Sequence, residues 1–191
     1  MSQLTPTYYR TASDEELMRH FIQNQDQQAF DQVYQRYFVP ISKYISWLSN
    51  DTAIGKDIAQ SIFLKLLHRP SIFDPNRSLK TWLFSVANNQ WKNEKRNRST
   101  QLKHQQYLSQ EMSKQNQEEE PKDNKQRLAQ VHLALENLGE LHREAMVLKY
   151  SNNLSIKEIS EVLQCSEGTV KSRLFYALQH LKKQLVKSKE I

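Results

Sequence analysis

Residues 154–176 read LSIKEISEVLQCSEGTVKSRLFY, and this stretch decides the fold. Ser155 and Glu158 have the spacing of a capping box, which opens a helix by satisfying two of its unpaired backbone donors. Ile159 and Leu163 give that helix an apolar stripe. Gln164-Cys165-Ser166 makes a three-residue turn. The run from Glu167 to Tyr176 then reads as a second, basic helix whose Val170 and Leu174 pack back on Ile159 and Leu163. Two short helices joined this way form a helix-turn-helix, in which the outward residues near the start of the second helix meet the major groove of a duplex. Lys171, Ser172 and Phe175 hold those outward places, while Arg173 and Tyr176 are set for backbone contacts. Cys165, the single cysteine of the chain, sits in the turn as a small apolar group rather than a reactive thiol.

Upstream of this unit, Leu128, Val131, Leu135 and Leu138 predict one amphipathic helix, with Gly139 as its C-terminal stop. Leu141, Ala145 and Leu148 predict another, ended by Asn152-Asn153. His142, Arg143 and Glu144 read as a solvated face of that helix. Further upstream, residues 99–125 read STQLKHQQYLSQEMSKQNQEEEPKDNK. This composition is rich in Gln, Ser and Glu and buries too little apolar surface to offset the entropy of ordering. It predicts a flexible linker. The chain therefore divides into an N-terminal domain over residues 1–98, an acidic and Gln-rich linker over 99–125 and a C-terminal domain over 126–191.

The N-terminal domain reads as four helices. Ser13 and Glu16 form a capping box before Leu17, Phe21 and Ile22. A second helix starts near Asp26 and carries Phe30, Val33, Tyr34, Tyr37, Ile41, Ile45 and Leu48; Pro40 inside that pattern predicts a kink or a break. Asp51 caps a third helix with an Ile54, Ile58, Ile62 and Leu66 core stripe and an outward face of Asp57, Gln60, Ser61 and Leu64. After the Asp74-Pro75-Asn76-Arg77 loop, Ser78 opens a fourth helix extending to about Arg98. Its Leu79, Trp82, Leu83, Val86 and Ala87 form a core stripe. Phe84, Asn88, Trp91 and Lys95 lie on another face that continues into Lys92, Arg96 and Arg98. Rings, amides and cations on an exposed face suit an unstacked single strand, whose bases stack on the rings while cations hold its phosphates. The competing reading of that face is a second apolar seam against the preceding helices.

Composition supports this organisation and excludes other classes. With 3 Gly and 5 Pro in 191 residues, few tight hairpin turns are available, so the expected fold class is all-α: two helical domains joined by a flexible linker. No stretch approaches a membrane span, and the first ten residues have neither the basic nor the apolar part of a secretory signal. A single cysteine fits a reducing cytoplasm. The net charge of +6 is concentrated, with +3 over residues 92–98 and +5 over residues 169–191. Basic clusters of this kind are the footprint of a polyanion-binding protein. No Gly-rich phosphate loop, HExxH or Cys/His metal spacing is visible. The expectation is a protein without catalytic residues, metal ligands or cofactors.

Taken together, these residues resemble the sigma-70 family of transcription initiation factors, in its small extracytoplasmic-function (ECF) group. The likeness spans a region 2 from about residue 13 to 98 and a region 4 from about 128 to 186. In region 2 it is carried by Asp14-Glu15-Glu16-Leu17, Ala29-Phe30, Tyr34-x-x-Tyr37, Asp57-x-x-Gln60-x-x-Phe63 and Thr81-Trp82-Leu83 followed by Val86-Ala87-x-Asn89. In region 4 it is carried by Leu154-Ser155-x-x-Glu158-Ile159 and Gly168-Thr169-Val170-Lys171-Ser172-Arg173-Leu174. Each motif alone is weak; their order and spacing are specific.

The resemblance implies a sigma factor that binds core RNA polymerase and directs promoter-specific initiation, without chemistry of its own. Asp57, Gln60, Phe63 and Leu64 would dock on the β′ clamp coiled coil, and region 4 on the β flap. Arg77, Lys80, Phe84, Asn88, Asn89, Trp91, Lys92, Lys95 and Arg96 would read and melt the −10 element. Thr169, Lys171, Ser172, Arg173, Phe175 and Tyr176 would read the −35 duplex. Promoter DNA, double-stranded and melted, is thus an expected partner, with room for an anti-sigma factor or a DNA-bound recruiting protein. Asn93 stands where the family often has Asp, and Asn88 and Tyr176 where it often has Arg, which predicts weak autonomous −35 recognition. The alternative is a stand-alone helix-turn-helix regulator that never enters polymerase; it leaves the Asp57/Gln60 face and the aromatic-basic helix unexplained.

Overall fold

The computed structural model describes residues 6–105 and 137–187, and among these there is helix and no strand. The helices are α1 (Pro6–Thr11), α2 (Asp14–Asn24), α3 (Gln27–Ser49), α4 (Thr52–His68), α5 (Leu79–Gln105), α6 (Glu140–Met146), α7 (Ile156–Leu163) and α8 (Glu167–Lys187). A single 3-10 turn, Pro70–Ile72, follows α4, and α6 widens into a π-helical turn over Val147–Ser151. None of the described helices is long and apolar enough to cross a membrane.

The predicted caps are in place. Ser13 Oγ accepts from the Glu16 N–H at 3.3 Å and Glu16 Oε2 accepts from the Ser13 N–H at 2.9 Å, so α2 opens on a complete capping box. Asp26 Oδ1 accepts from Gln28 and Ala29 at 3.0 and 3.2 Å, and Asp51 Oδ1 from Ala53 and Ile54 at 2.8 and 3.3 Å. α5 has two caps. Ser78 Oγ accepts from the Thr81 N–H, and Glu15 of α2 accepts from the Leu79 N–H at 3.0 Å. α5 continues to Gln105, past the expected end near Arg98.

Three local features depart from expectation. α1 precedes the predicted first helix, and Arg36 of α3 gathers its end: the guanidinium donates to the carbonyls of Tyr9, Arg10 and Ala12 and to Asp14. The Tyr37 hydroxyl also donates to Asp14, and burial together with that partner pushes the phenol's pKa up. α3 runs through Pro40 without a break. Gly139 is not a left-handed stop, since its φ is −55° and it stands at the N-cap of α6. The expected helix over Leu128, Val131 and Leu135 lies outside the described residues, as does most of the 99–125 segment.

α3 and α4 form the centre of the N-terminal bundle, with α2 and α5 against α3. Their crossing is close because residue 55 is glycine: a Cβ there would run into Ser46 Oγ and the Ser42 carbonyl of α3. Leu17, Met18, Phe21, Ile41, Ile45, Ile62, Leu66, Leu79 and Leu83 are fully buried in the resulting core. In the C-terminal unit, α6, α7 and α8 close around Ala145, Leu148, Ile159, Val162 and Val170.

Candidate polymerase and nucleic-acid surfaces

The α4 face is set by its core stripe. Ile58 and Ile62 point inward, which leaves Asp57, Gln60 and Leu64 exposed, Leu64 at 47%. Ser61 at the rim accepts from Gln90 Nε2 of α5 at 3.0 Å, tying the two helices together. Phe63, which the resemblance groups with the docking residues, is 3% exposed and belongs to the core. Its ring packs among Phe30, Tyr34 and Phe38, with centroids 5.1–6.3 Å apart. It supports Tyr34, itself exposed beside α4, rather than reaching a partner.

The helix-turn-helix stands as the sequence predicts. Ser155 and Glu158 form the capping box of α7, and Gln164 takes the left-handed conformation (φ 52°) that turns the chain. Ser166 Oγ accepts from the Thr169 N–H at 3.1 Å at the start of α8. Ile159, Leu163, Val170 and Leu174 are buried between the helices. Lys171, Ser172, Phe175 and Tyr176 are exposed, and Thr169 and Arg173 half-buried. Phe175 and Tyr176 meet edge to face at 5.5 Å. Large apolar rings more than half exposed on a basic helix form a surface suited to thymine methyls and sugar rings.

The α5 face is where the sequence reading needs correction. Arg77, Asn89, Lys92 and Arg96 are exposed, but Phe84, Asn88 and Trp91 are buried at 1, 0 and 7%. Phe84 packs against Tyr44 of α3, centroids 5.5 Å apart, which is the apolar-seam alternative. The Tyr44 hydroxyl donates to Asn88 Oδ1 at 3.1 Å, and Asn88 Nδ2 donates to the Val162 carbonyl of α7 at 3.5 Å. At the start of α5, Lys80 Nζ donates to the Asn153 carbonyl at 3.3 Å. Further along, Lys95 pairs with Glu140 of α6. Lys80, Phe84, Asn88, Trp91 and Lys95 follow one another at three- or four-residue steps; Phe84 is turned to α3, while Lys80, Asn88 and Lys95 reach the C-terminal unit. Helical spacing placed these residues on one face; it could not reveal that the cover comes from a segment some seventy residues away.

Glu144 is the residue the sequence hid. Read as part of a solvated face, it is 1% exposed in α6, and its Oε2 has no hydrogen-bond partner. Burial raises its carboxyl pKa; Lys92, Arg173 and Lys95 oppose the rise and Glu140 adds to it. Trp91 Nε1, in the same seam, is also without a partner. No pattern in the sequence marks Glu144, because an acid beside His142 and Arg143 has the appearance of ordinary helix surface.

Comparisons with known proteins bear on the family. The model of Sigma-70 region 2 matches residues 33–101, and that of Sigma-70, region 4 matches residues 128–181. The RNA polymerase sigma factor YlaC of Bacillus subtilis (strain 168) is 26% identical over 178 residues, covering 85% of this chain and 95% of its own. The ECF RNA polymerase sigma factor SigW of the same organism is 29% identical over 178 residues, with 84 and 90% covered. The RNA polymerase sigma-H factor of Pseudomonas aeruginosa is 28% identical over 181 residues, with 90 and 93% covered. Among solved structures, CnrH in complex with the cytosolic domain of CnrY superposes with a TM-score of 0.68 at 23% identity, covering 91% of this chain and 97% of that one. The sigma factor RpoE of Bartonella quintana, solved with the anti-sigma factor NepR, gives 0.67 at 23% identity, with 82 and 96% covered. With two regions of one family matched in order along most of its length, the chain belongs to the sigma-70 family, in its ECF group.

Proposed function

We infer that this chain joins core RNA polymerase in the cytoplasm and directs it to a set of promoters, with no catalysis of its own. The observation that carries the reading is the pairing, in one chain, of an exposed α4 face at Asp57, Gln60 and Leu64 with an exposed basic recognition helix at Lys171, Ser172 and Phe175. Both lie within segments matched to the sigma-70 family. The first face has the mixed polar and apolar character of a protein contact, with a central leucine ringed by hydrogen-bonding groups. The second has the form of a major-groove reader. Asp57, Gln60 and Leu64 contact the β′ clamp coiled coil, with Phe63 holding the face from beneath. Arg77, Asn89, Lys92 and Arg96, exposed on and beside α5, serve the −10 element, where cations hold the backbone of the unpaired strand. Thr169, Lys171, Ser172, Arg173, Phe175 and Tyr176 serve the −35 duplex. The sigma factor RpoE, solved with the anti-sigma factor NepR, supports the reading that this chain too is held by such a protein.

Gel filtration of the full chain with sigma-free core polymerase tests the reading. Wild type is expected to co-elute with core, and Asp57→Ala/Gln60→Ala to elute alone while keeping its circular dichroism melt. Wild type eluting apart from core would overturn it and leave a stand-alone regulator.

A further inference from the structure

α8 runs well past the residues proposed to read the −35 duplex. Lys171, Ser172, Phe175 and Tyr176 lie in its N-terminal half, yet the helix continues to Lys187. Ser172, Tyr176, Gln179 and Lys183 follow one another at steps of four, three and four, so they form one stripe, with His180 at its edge. The far end of that stripe is not bare helix surface. Tyr176, Gln179, His180 and Lys183 make one wall of a cleft of about 520 Å³, and Leu138 and His142 line the other. Leu138 is buried and His142 half-buried, and glycine at 139 leaves the imidazole its place, since a Cβ there would stand 3.4 Å from His142 Nδ1. Phe175 props the Tyr176 ring edge to face.

The chemistry of the cleft selects an anion. No carboxylate lines it; Lys183 brings a cation, each imidazole offers a ring N–H whether neutral or charged, and the Tyr176 hydroxyl and Gln179 amide add donors. Its position selects which anion. A helix rises about 1.5 Å per residue, so Gln179 and Lys183 stand roughly 10 and 16 Å along α8 from Ser172. The major groove is about 12 Å wide. A helix that sets Ser172 on the base edges therefore carries these groups to the sugar-phosphate wall beside the groove.

We propose that this cleft is a phosphate clamp: His142, His180 and Lys183 hold a backbone phosphate bordering the −35 element. The clamp supplies the ionic grip that Tyr176, in a place where the family often has Arg, lacks. The proposal rests on the −35 reading above and adds the residues that anchor the duplex, α6 among their sources.

For the test, the full chain selects duplexes from a randomised pool, and binding to an enriched duplex is followed by fluorescence anisotropy against salt. His180→Ala/Lys183→Ala is expected to weaken binding to every duplex by a similar factor and to flatten the slope of log affinity against log salt by about 1. Lys182→Ala, which removes an equal charge from the exposed neighbour outside the cleft, is expected to leave the slope unchanged. Replacing single phosphates of the duplex by neutral methylphosphonates is expected to weaken wild type at a position beside the element, where the double variant and His142→Ala no longer respond. Circular dichroism melts confirm that the variants keep the fold. A wild-type slope in the double variant, the result expected if the cleft held a carboxylate of a partner protein, would overturn the proposal. So would an equal loss in Lys182→Ala or a full methylphosphonate response in His142→Ala. Failure to enrich any duplex strikes the −35 reading instead; the clamp is then judged by the same slopes on a duplex of mixed sequence.

Discussion

Asn88 and Glu144 show how much a single side chain can depend on a distant segment. Asn88 stands where the family often carries Arg, and its shorter amide fits between Tyr44 and Val162 where a guanidinium would bring a buried charge. Asn88→Arg is therefore expected to loosen the seam, read as a larger H2O/D2O solvent isotope shift of the Trp91 resonance in fluorotryptophan NMR. Glu144 adds a pH dependence whose sign follows from its burial. The groups facing it are Tyr44 on α3, Lys92 and Lys95 on α5, Glu140 on α6 and Arg173 on α8. Burial holds its carboxyl pKa above the ordinary carboxylate value in the folded chain. Protonated Glu144 thus favours the fold fully below the unfolded value, and the contribution is lost as pH rises through the raised one. Stability in chemical denaturation is expected to fall over that rise, and Glu144→Gln to flatten the response. Tyr176 is another residue with a local consequence. Tyr176→Arg supplies a phosphate contact on an exposed helix face and is expected to tighten −35 duplex binding and steepen its salt dependence, measured by fluorescence anisotropy.

At the scale of the element, most of the architecture was legible. Ser13/Glu16, Asp26, Asp51, Ser78 and Ser155/Glu158 are local signals, in which a side chain satisfies its own helix's donors, and each starts a helix where the spacing says it should. Ser155→Ala is expected to cost about 1 kcal/mol in the chemical-denaturation stability of the full chain, through loss of a cap bond at the start of α7. What could not be read depends on partners elsewhere. α1 is six residues long and too short to announce itself by periodicity; Arg36, some 25 positions away, collects its carbonyls. Gly139 looked like a helix stop because glycine commonly ends helices, yet its φ is negative and it opens α6. Gly55 went unnoticed, and its meaning appears only where α4 crosses α3. Gly55→Ala is expected to destabilise the protein by about 1–3 kcal/mol, since the new methyl meets backbone as well as a hydroxyl.

For the whole molecule, the sequence gives two helical units and their separate surfaces, but not their relation. The exposed faces of α4 and α8 were readable because both are solvent-facing sides of amphipathic helices. The α5 face was readable as a stripe and misread as exposed, because the chain carries no local sign of which distant helix covers it. Phe63 stands at the border of two faces of α4 and is claimed by the side that offers rings, here Phe30, Tyr34 and Phe38. The two basic clusters differ in their surroundings: Lys171 of α8 lies exposed, while Lys95 of α5 is paired with Glu140.

The central claim is that this chain directs core polymerase to promoters through these faces. Run-off transcription with sigma-free bacterial core, the full chain and a genomic promoter library, with RNA 5′ ends mapped, tests it most directly. The account predicts discrete start sites that share upstream elements, disappear with Asp57→Ala/Gln60→Ala and weaken with Lys171→Ala. Transcription no different from core alone, under conditions where a known sigma factor initiates normally, would contradict it.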